Sequence, residues 1–237
     1  MSNLPAEVRD LVKASLQLLR EALASHPRIC YASSLGAESI VLMDLLWTEL
    51  PQIEIFTIDT GRLYPETHDL IERVQRRYGR RLKIYYPDAT AVESWVERHG
   101  INGFRNGTAE RRSCCMARKI EPFRRAIKGF DAWVTGIRAG QSAARAGARP
   151  IDWDADNGLH KVSPLLAWSG NQVWSYIHTL RLPYHGLHDR GLPSIGCAPC
   201  TRAVAPGDDP RSGRWWWEHE EARECGLHPH RPALANG

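Results

Sequence analysis

The sequence predicts an α/β fold in which a parallel, twisted sheet is flanked by helices and followed by a loop-rich C-terminal segment. Between residues 28 and 135, short apolar runs typical of buried strands alternate with segments of helical period. Of the 237 residues, 43% are hydrophobic and 24% are charged, as in an ordinary globular protein of one or two domains. Successive strand–helix units of this kind build a parallel sheet covered on both faces.

The first predicted element is an amphipathic helix over residues 4–25, because its apolar residues recur at helical spacing, and Pro27 ends it. After it, the alternation predicts strands at residues 28–32, 53–58, 81–86 and 132–135. The helices predicted around these strands cover residues 40–46, 65–78, 90–98 and 114–128.

Beyond residue 145 the alternation loosens. Ile151–Trp153 and Leu159–Val162 are expected to pair as short strands, because the sequence between them, Asp154–Gly158, is typical of a turn. A helix is predicted over Ser169–Leu180 with Ser169 as its N-cap, and a last helix from about Trp215 to Arg223.

Composition and charge exclude several classes of function. The net charge of +4 suits an anionic small molecule, whereas a nucleic-acid-binding protein usually carries a denser basic face. No run of about 18 apolar residues occurs, so no membrane span is expected. Residues 1–25 contain several charged side chains and no apolar leader core, so we expect a reducing, cytoplasmic location.

Three polar loops are predicted at the carboxyl ends of strands, where α/β sheets bind ligands. They are residues 33–39, 59–62 and 136–142. Each could by itself be ordinary turn chemistry, but their shared position predicts one nucleotide site. The candidate binding residues are Ser33, Ser34, Gly36, Glu38, Asp59, Thr60, Gly61, Arg62, Gly136 and Arg138.

Four of the six cysteines form two tight groups, Cys114–Cys115 and Cys197–Cys200. In a reducing compartment such groups indicate a metal site or catalytic thiols rather than disulfides. Adjacent cysteines diverge from one another, which suits a four-iron cube with one thiolate on each corner better than a single zinc ion. A zinc site and uncoordinated thiols remain the alternatives. Cys30, inside a predicted strand, is expected to be a small buried hydrophobe.

The residues around the cysteine pair predict its local electrostatics. Ser113 is a natural N-cap, which would place Cys114 and Cys115 in a first helical turn, where the dipole favours thiolate. Lys119 follows Cys115 by four residues and would share its helix face. This lysine is either a solvated surface charge or a bridge between the metal site and an anionic substrate.

Further candidates lie after the second cysteine group. Arg211 and Arg214 offer planar forks suited to sulfate or phosphate oxygens. Residues 215–217 are three tryptophans, a run that more often packs than stacks on a ligand. Cys225 sits in a polar segment near the end of the sequence, and near a basic pocket its thiol would be a candidate nucleophile.

Taken together, these motifs resemble the assimilatory adenylyl-sulfate (APS) reductases. The resemblance covers roughly residues 28–228. Its most specific parts are Gly-Arg-Trp-Trp-Trp-Glu at 213–218 and Glu-Cys-Gly-Leu-His at 224–228. Cys-Cys-x-x-x-Lys at 114–119 and Ile-Gly-Cys-x-Pro-Cys-Thr-Arg at 195–202 add to it, as do Asp59–Arg62 and the loop that starts at Ser33.

The resemblance implies an adenine nucleotide α-hydrolase-like fold of the PP-loop type. It implies a domain over residues 1–205 that binds the nucleotide and a [4Fe-4S] cluster, and a mobile segment over 206–237 that carries the nucleophile. The implied cluster ligands are Cys114, Cys115, Cys197 and Cys200. The cluster would tune electrostatics through Lys119 and pass no electrons. Formation of a homo-oligomer stays open.

The resemblance also implies the reaction. Cys225 would attack the sulfur of APS, release AMP and become S-sulfocysteine, and thioredoxin would then free sulfite and be left as a disulfide. Arg211, Arg214 and Lys119 would offset the charge of the sulfonate in the transition state.

One loop departs from the pattern of ATP-cleaving relatives. Residues 34–39 read Ser-Leu-Gly-Ala-Glu-Ser instead of Ser-Gly-Gly-x-Asp-Ser, which fits a site for one phosphate plus sulfate. The rival interpretations are a reductase that accepts 3′-phospho-APS (PAPS) alone or together with APS, a tRNA-thiolating enzyme of the same superfamily, and a zinc-structured binding module.

Overall fold

The computed structural model describes residues 3–141, 145 and 147–219. Seven α-helices lie in this part of the chain: α1 (Ala6–Ser25), α2 (Ala37–Glu49), α3 (Pro65–Tyr78), α4 (Ala89–His99), α5 (Thr108–Cys115), α6 (Glu121–Ile127) and α7 (Gly170–Thr179). The strands are β1 (Ile29–Ser33), β2 (Glu54–Ile58), β3 (Lys83–Tyr85), β4 (Ala132–Val134), β5 (Ile151–Asp154) and β6 (Leu159–Val162). The predicted α/β fold is confirmed.

The six strands form one sheet in the order β3-β2-β1-β4-β6-β5. All neighbouring pairs are parallel except β5 and β6, which pair antiparallel as predicted from the turn between them. Helix α7 begins at the predicted N-cap, where Ser169 and Gln172 form a reciprocal capping box. Helix α2 begins at Ala37, three residues before its predicted start, so residues of the predicted loop form its first turn.

The prediction around the cysteine pair is wrong. Ser113 does not cap a helix; its hydroxyl donates to the carbonyl oxygen of Glu110 at 2.9 Å, inside α5. Cys114 and Cys115 therefore lie in the last turn of α5, and a π-helical turn, Met116–Ile120, connects α5 to α6. Because the helical path continues beyond Cys115, the pair does not lie at a helix amino end, where the dipole would favour a thiolate, contrary to the prediction.

The predicted last helix is also not found in its described part. Residues 215–219 are not helical, and Trp215 has a φ of 45°, in the left-handed region. Residues 220–223 lie outside the described residues. Among the residues described, no helix combines the length and apolar character that crossing a bilayer requires.

The chain divides into two compact units. The first consists of residues 1–58, 64–85 and 124–186 and contains the sheet with its main hydrophobic core. The second consists of residues 59–63, 86–123 and 187–237 and contains all four clustered cysteines. The predicted division of the chain at residue 205 stays a prediction, because it concerns the function of a segment that lies largely outside the described residues.

Candidate functional site

The two cysteine groups come together in the second unit. Cys114 and Cys200 are buried in a small apolar cluster with Trp95, Phe104 and Trp215, and Cys197 packs against it. Cys115 is half-buried. None of these four thiols is in a disulfide within the described part of the chain. Thiols far apart in sequence therefore come together around one apolar cluster.

Burial dominates the ionisation of two of these thiols. It raises the pKa of Cys200 to about 12, and the neighbouring sulfurs of Cys197, Cys115 and Cys114 add to the effect, while the charge of Arg214 opposes it. Burial also raises the pKa of Cys114, and the charges of Arg118 and Arg62 oppose that rise. Thiols of this kind need a cation or a metal to become thiolates at neutral pH.

The loop after β2 contacts the second cysteine group. The Thr60 hydroxyl and the Cys197 sulfur lie 3.1 Å apart, at hydrogen-bond distance, and the Ala198 amide donates to the Arg62 carbonyl oxygen at 2.8 Å. Gly61 adopts a φ of 71°, which glycine accepts readily, and its amide donates to Asp59 Oδ1 at 2.8 Å. This loop, predicted to bind a nucleotide, thus also supports the cysteine site.

Arg118 links that loop to the cysteine pair. Its Nη1 donates to the Thr60 carbonyl oxygen at 2.9 Å, and the guanidinium also hydrogen-bonds to Cys114. Lys119, its neighbour, was predicted to face Cys115 by helical spacing. A π-helical turn replaces that spacing here, because its hydrogen bonds reach five residues instead of four.

The chain after the second cysteine group folds back over it. The Trp215 amide donates to the Cys200 carbonyl oxygen at 3.1 Å, and Thr201 forms an isolated β-bridge with Arg214. The guanidinium carbon of Arg214 lies 4.6 Å from the centre of the Trp215 ring. The same guanidinium covers Gly196, where an added Cβ would be 2.3 Å from Nη2, so glycine is required for this approach. Arg211 is half-buried, and its amide donates to Asp209 Oδ1 at 2.6 Å.

The donor set fits an iron–sulfur cube. Cys114, Cys200 and Cys197 lie in or against the apolar cluster and Cys115 is half-buried beside Cys114; a threonine hydroxyl and arginines beside the sulfurs add hydrogen-bond donors to this set of soft ligands. Within the described ranges, no three His, Cys, Asp or Glu side chains converge as ligands of a single metal ion. A cube distributes its thiolates over four irons and does not require such convergence.

The first unit contains the other two predicted loops. The backbone between Ser33 and Gly36 is held by serine hydroxyls: the amide of Ser34 donates to Ser39 Oγ at 3.1 Å and that of Leu35 to Ser33 Oγ at 3.2 Å. Leu35 has a φ of 59°, a conformation that costs a non-glycine residue energy and is common at ligand sites. The N-cap of α2 is Gly36, which has no side chain to cap the first amides of the helix, and a helix start of this kind favours an anion.

Glu38 joins this loop to the loop after β4. Its Oε1 accepts from Arg138 Nε at 2.8 Å and from Gln141 Nε2 at 2.9 Å. A Cβ at Gly136 would lie 3.2 Å from the Glu38 Cβ, so the loop passes close to α2 only because it has no side chain there. The first and third predicted loops thus form one cluster, while the second loop belongs to the other unit. A single nucleotide site from all three stays a prediction.

Two residues singled out in the sequence lie outside the described residues: Ser142, the end of the third predicted loop, and Cys225, the candidate nucleophile. The sequence interpretation missed two features of the site that the structure shows. These are Arg118 and a buried ion pair between Arg111 and Glu218. Arg111 precedes Cys115 by four residues, which would have indicated a shared helix face had the start of α5 been recognised.

Comparisons with known proteins agree with the resemblance found in the sequence. Residues 28–203 match the phosphoadenosine phosphosulfate reductase domain family. The chain is 50% identical over 215 residues to the adenosine 5′-phosphosulfate reductase of Allochromatium vinosum, covering 91% of this chain and 84% of that protein. It is 44% identical to the adenosine 5′-phosphosulfate reductase of Burkholderia cepacia, covering 89% of this chain and 84% of that protein.

Solved structures give the same relationship. A phosphoadenylyl-sulfate (PAPS) reductase from Candida auris, in complex with phosphate, superimposes with a TM-score of 0.69 at 28% identity, covering 85% of this chain and 98% of that one. An FMN adenylyltransferase from Candida glabrata in complex with ATP has a TM-score of 0.60 at 20% identity, covering 92% of this chain and 75% of that one, and shares the fold. The chain therefore belongs to the phosphoadenosine phosphosulfate reductase family, together with the adenosine 5′-phosphosulfate reductases to which it is similar.

Proposed function

We propose that the protein reduces adenosine 5′-phosphosulfate to sulfite and AMP with electrons from thioredoxin, as a step of sulfate assimilation towards cysteine. The observation that carries this proposal is the identity of 40–50% to proteins named adenosine 5′-phosphosulfate reductase, over 85–91% of the chain. The free thiols, suited to a reducing cytoplasm, are consistent with it.

In the proposed reaction, the Cys225 thiolate attacks the sulfur of the sulfuryl group. A sulfur–sulfur bond forms, the bond between that sulfur and the bridging oxygen breaks, and AMP leaves with the electron pair. One thioredoxin thiolate then attacks Sγ of the S-sulfocysteine, and sulfite leaves with the electron pair of the sulfur–sulfur bond. The second thioredoxin thiol closes a disulfide and releases Cys225. The two electrons therefore come from thioredoxin.

The nucleotide is proposed to bind at the loops of the first unit. The uncapped start of α2 favours the phosphate, and the serine-rich loop before it is already held in place by its own hydroxyls. Arg138, fixed by Glu38, adds a cation at the same loops. Asp59, Thr60, Gly61 and Arg62 stay candidates for nucleotide contacts, in addition to their contacts at the cysteine site.

Cys114, Cys115, Cys197 and Cys200 are proposed to hold a [4Fe-4S] cluster. The apolar cluster that holds Cys114 and Cys200 with Cys197 against it, and the burial that disfavours free thiolates at Cys114 and Cys200, support this assignment. When bound, the cluster contributes to the electrostatic field in which the sulfonate reacts. Lys119, Arg211 and Arg214 are proposed to balance the negative charge of the sulfonate, and the position of Arg214 beside the cysteine group supports its part in this role.

Use of PAPS in addition to APS is the second candidate, favoured by the likeness to the PAPS reductase of Candida auris. The two substrates differ only in the 3′-phosphate. Parallel incubation with each nucleotide separates a strict APS reductase from a dual one.

The experiment that tests the proposal is intact-protein mass spectrometry after anaerobic incubation with APS and no reductant. We expect a gain of one sulfonate, mapped to Cys225 and removed by thioredoxin with release of sulfite. Cys225→Ser should bind AMP and keep its iron but gain no sulfonate.

Cys30→Ala is the matched control, because Cys30 is buried in β1 and burial raises its pKa, which keeps the thiol unreactive. This variant should form the adduct like the wild type. Sulfite release by Cys225→Ser would remove the nucleophile from the proposal, and the absence of any adduct on a wild-type protein that binds AMP would overturn the covalent mechanism.

A further inference from the structure

Arg111 and Glu218 form a buried ion pair in the second unit. Their side chains are only 1% and 3% exposed, and the guanidinium binds the carboxylate with both arms: Nε to Oε1 at 2.9 Å and Nη2 to Oε2 at 2.9 Å. This two-armed geometry is available to arginine and not to lysine. The pair fixes both the distance and the relative orientation of α5 and the chain at position 218.

The same guanidinium makes two more contacts. Its carbon lies 4.6 Å from the centre of the Trp215 ring, and it hydrogen-bonds to Cys115, one turn further along α5. Trp215 is in turn covered on its ring by Arg214, also at 4.6 Å, and holds a left-handed backbone. Arg111 thus connects a cysteine of the sulfur site to a constrained turn in the chain that follows that site.

A buried ion pair of this kind is poor evidence for stability by itself. The cost of removing both charges from water is large, and replacing such a pair with apolar side chains of similar size is often neutral or stabilising. A hydrophobic pair at these positions would serve the packing as well. What the ion pair adds is directional hydrogen bonding, which fixes geometry.

Position 218 is where that geometry matters for the chemistry. Cys225 follows Glu218 by seven residues. A chain of that length spans at most about 25 Å even when fully extended. Because the ion pair anchors Glu218, the proposed nucleophile must lie within that distance of position 218.

We infer that Arg111 is a positioning residue, which ties Cys115 to Glu218 and so sets where the segment that carries Cys225 starts relative to the cysteine site. This inference rests on the proposed function, because it concerns delivery of the nucleophile. It assigns Glu218 and Trp215 a role in holding that start point, beyond packing.

The test uses full-length protein purified anaerobically, with Glu218→Gln, Arg111→Lys and the double variant Arg111→Met/Glu218→Met. The double variant removes both charges together, so that it folds even if a single unpaired charge does not. Four quantities are measured: iron content, KM for APS, the rate of adduct formation without thioredoxin, and the rate of trypsin cleavage after Arg214. Arg112→Met is the matched control, since Arg112 is the next residue on α5 and is exposed.

We expect iron content and KM to stay within about twofold of the wild type, while the rate of adduct formation falls by about tenfold or more and cleavage after Arg214 accelerates. Arg112→Met should match the wild type in all four. Adduct formation at the wild-type rate in Glu218→Gln and in the double variant would overturn the inference. So would a loss of iron in proportion to the loss of activity, because that result indicates a role in stability alone.

Failure of the proposed function has a different signature. In that case the wild type itself forms no adduct with APS, whatever the state of the ion pair. The cleavage rate after Arg214 then still decides the inference: unchanged cleavage in all three variants overturns it, and faster cleavage supports the anchoring.

Discussion

The positive charges around the clustered thiols act on different cysteines. Arg118 and Arg62 oppose the rise that burial causes in the pKa of Cys114, and Arg214 does the same for Cys200. Arg111 hydrogen-bonds to Cys115. Several of these cations are also held by a second contact, such as that of Arg118 to the Thr60 carbonyl oxygen. For Cys114 and Cys200, these charges reduce the rise in pKa that burial causes but do not cancel it.

Arg118→Met should weaken the retention of iron. The substitution removes the cation next to Cys114 and leaves the Thr60 carbonyl oxygen without this donor, while the methionine keeps much of the side-chain volume. We expect iron loss to a chelator to accelerate by about tenfold, in keeping with the effect of removing a partner of a metal ligand. Iron released over time is followed spectroscopically.

Arg112→Met again serves as the control and should release iron at the wild-type rate. Equal rates in Arg118→Met and the wild type would show that Arg118 does not support the thiolate of Cys114.

At the scale of elements, the turn between α5 and α6 decides where the cysteine pair points. The chain continues from α5 through a π-helical turn, Met116–Ile120, without leaving a helical path. A turn of this kind is rare and occurs mostly at functional sites. Arg118, within this turn, hydrogen-bonds to Cys114 and opposes the rise in its pKa.

The turn that carries the second cysteine group depends on a glycine. Gly196→Ala would place a Cβ 2.3 Å from Arg214 Nη2. The end of an arginine can move, so we expect little loss of stability, about 1 kcal/mol or less, but Arg214 leaves its position beside Cys200. Turnover should fall by about tenfold or more, since a cation near the reacting charge is lost. Tm and kcat/KM are measured on the same preparation.

Gly186→Ala is the matched control, because a Cβ there would meet no atom within 4 Å beyond its neighbours in the chain. This variant should retain wild-type Tm and kcat/KM. A Gly196→Ala enzyme with full turnover would contradict the role given to the position of Arg214.

At the scale of the whole molecule, the sulfur site is assembled within the second unit from three separate stretches of chain. These are the loop after β2, the region from α4 to the start of α6, and the chain after residue 186. The first unit contributes the sheet and the loops at Ser33–Glu38 and Gly136–Gln141. The second unit thus contains the four clustered cysteines, and the first unit contains two of the three loops proposed to bind the nucleotide.

A chain that ends at His219 should separate binding from chemistry. The apolar cluster around the cysteines and the Arg111–Glu218 ion pair are retained in the shortened protein, so we expect it to keep its iron and its affinity for AMP, with a Tm within about 2 °C of the wild type. It should gain no sulfonate from APS, because Cys225 is removed. Calorimetry, iron content and mass spectrometry check the three expectations. Loss of iron on shortening would show that the removed residues support the cysteine site.

Much of the fold and part of the candidate site could be predicted from local pattern. The bounds of α3 agree residue for residue with the prediction, and the β5–β6 pair and the capping box of α7 follow from a few neighbouring residues. The start of α5 could not be predicted, because residues 108–113 are polar and have no apolar period. For that reason, the prediction that Ser113 is an N-cap was wrong.

By itself, the sequence determined the alternation of strands and helices, the grouping of four cysteines and the motifs of the family, since each depends on residues close together in the chain. Only the tertiary structure decided which cations serve which thiol, that Thr60 lies beside Cys197, and that Arg111 pairs with Glu218. The partners in these contacts are 107 residues apart for the ion pair and 137 for Thr60 and Cys197. A local sequence pattern carries no information about partners so far apart in the chain. They come into contact only when the backbone of the second unit packs around its apolar cluster.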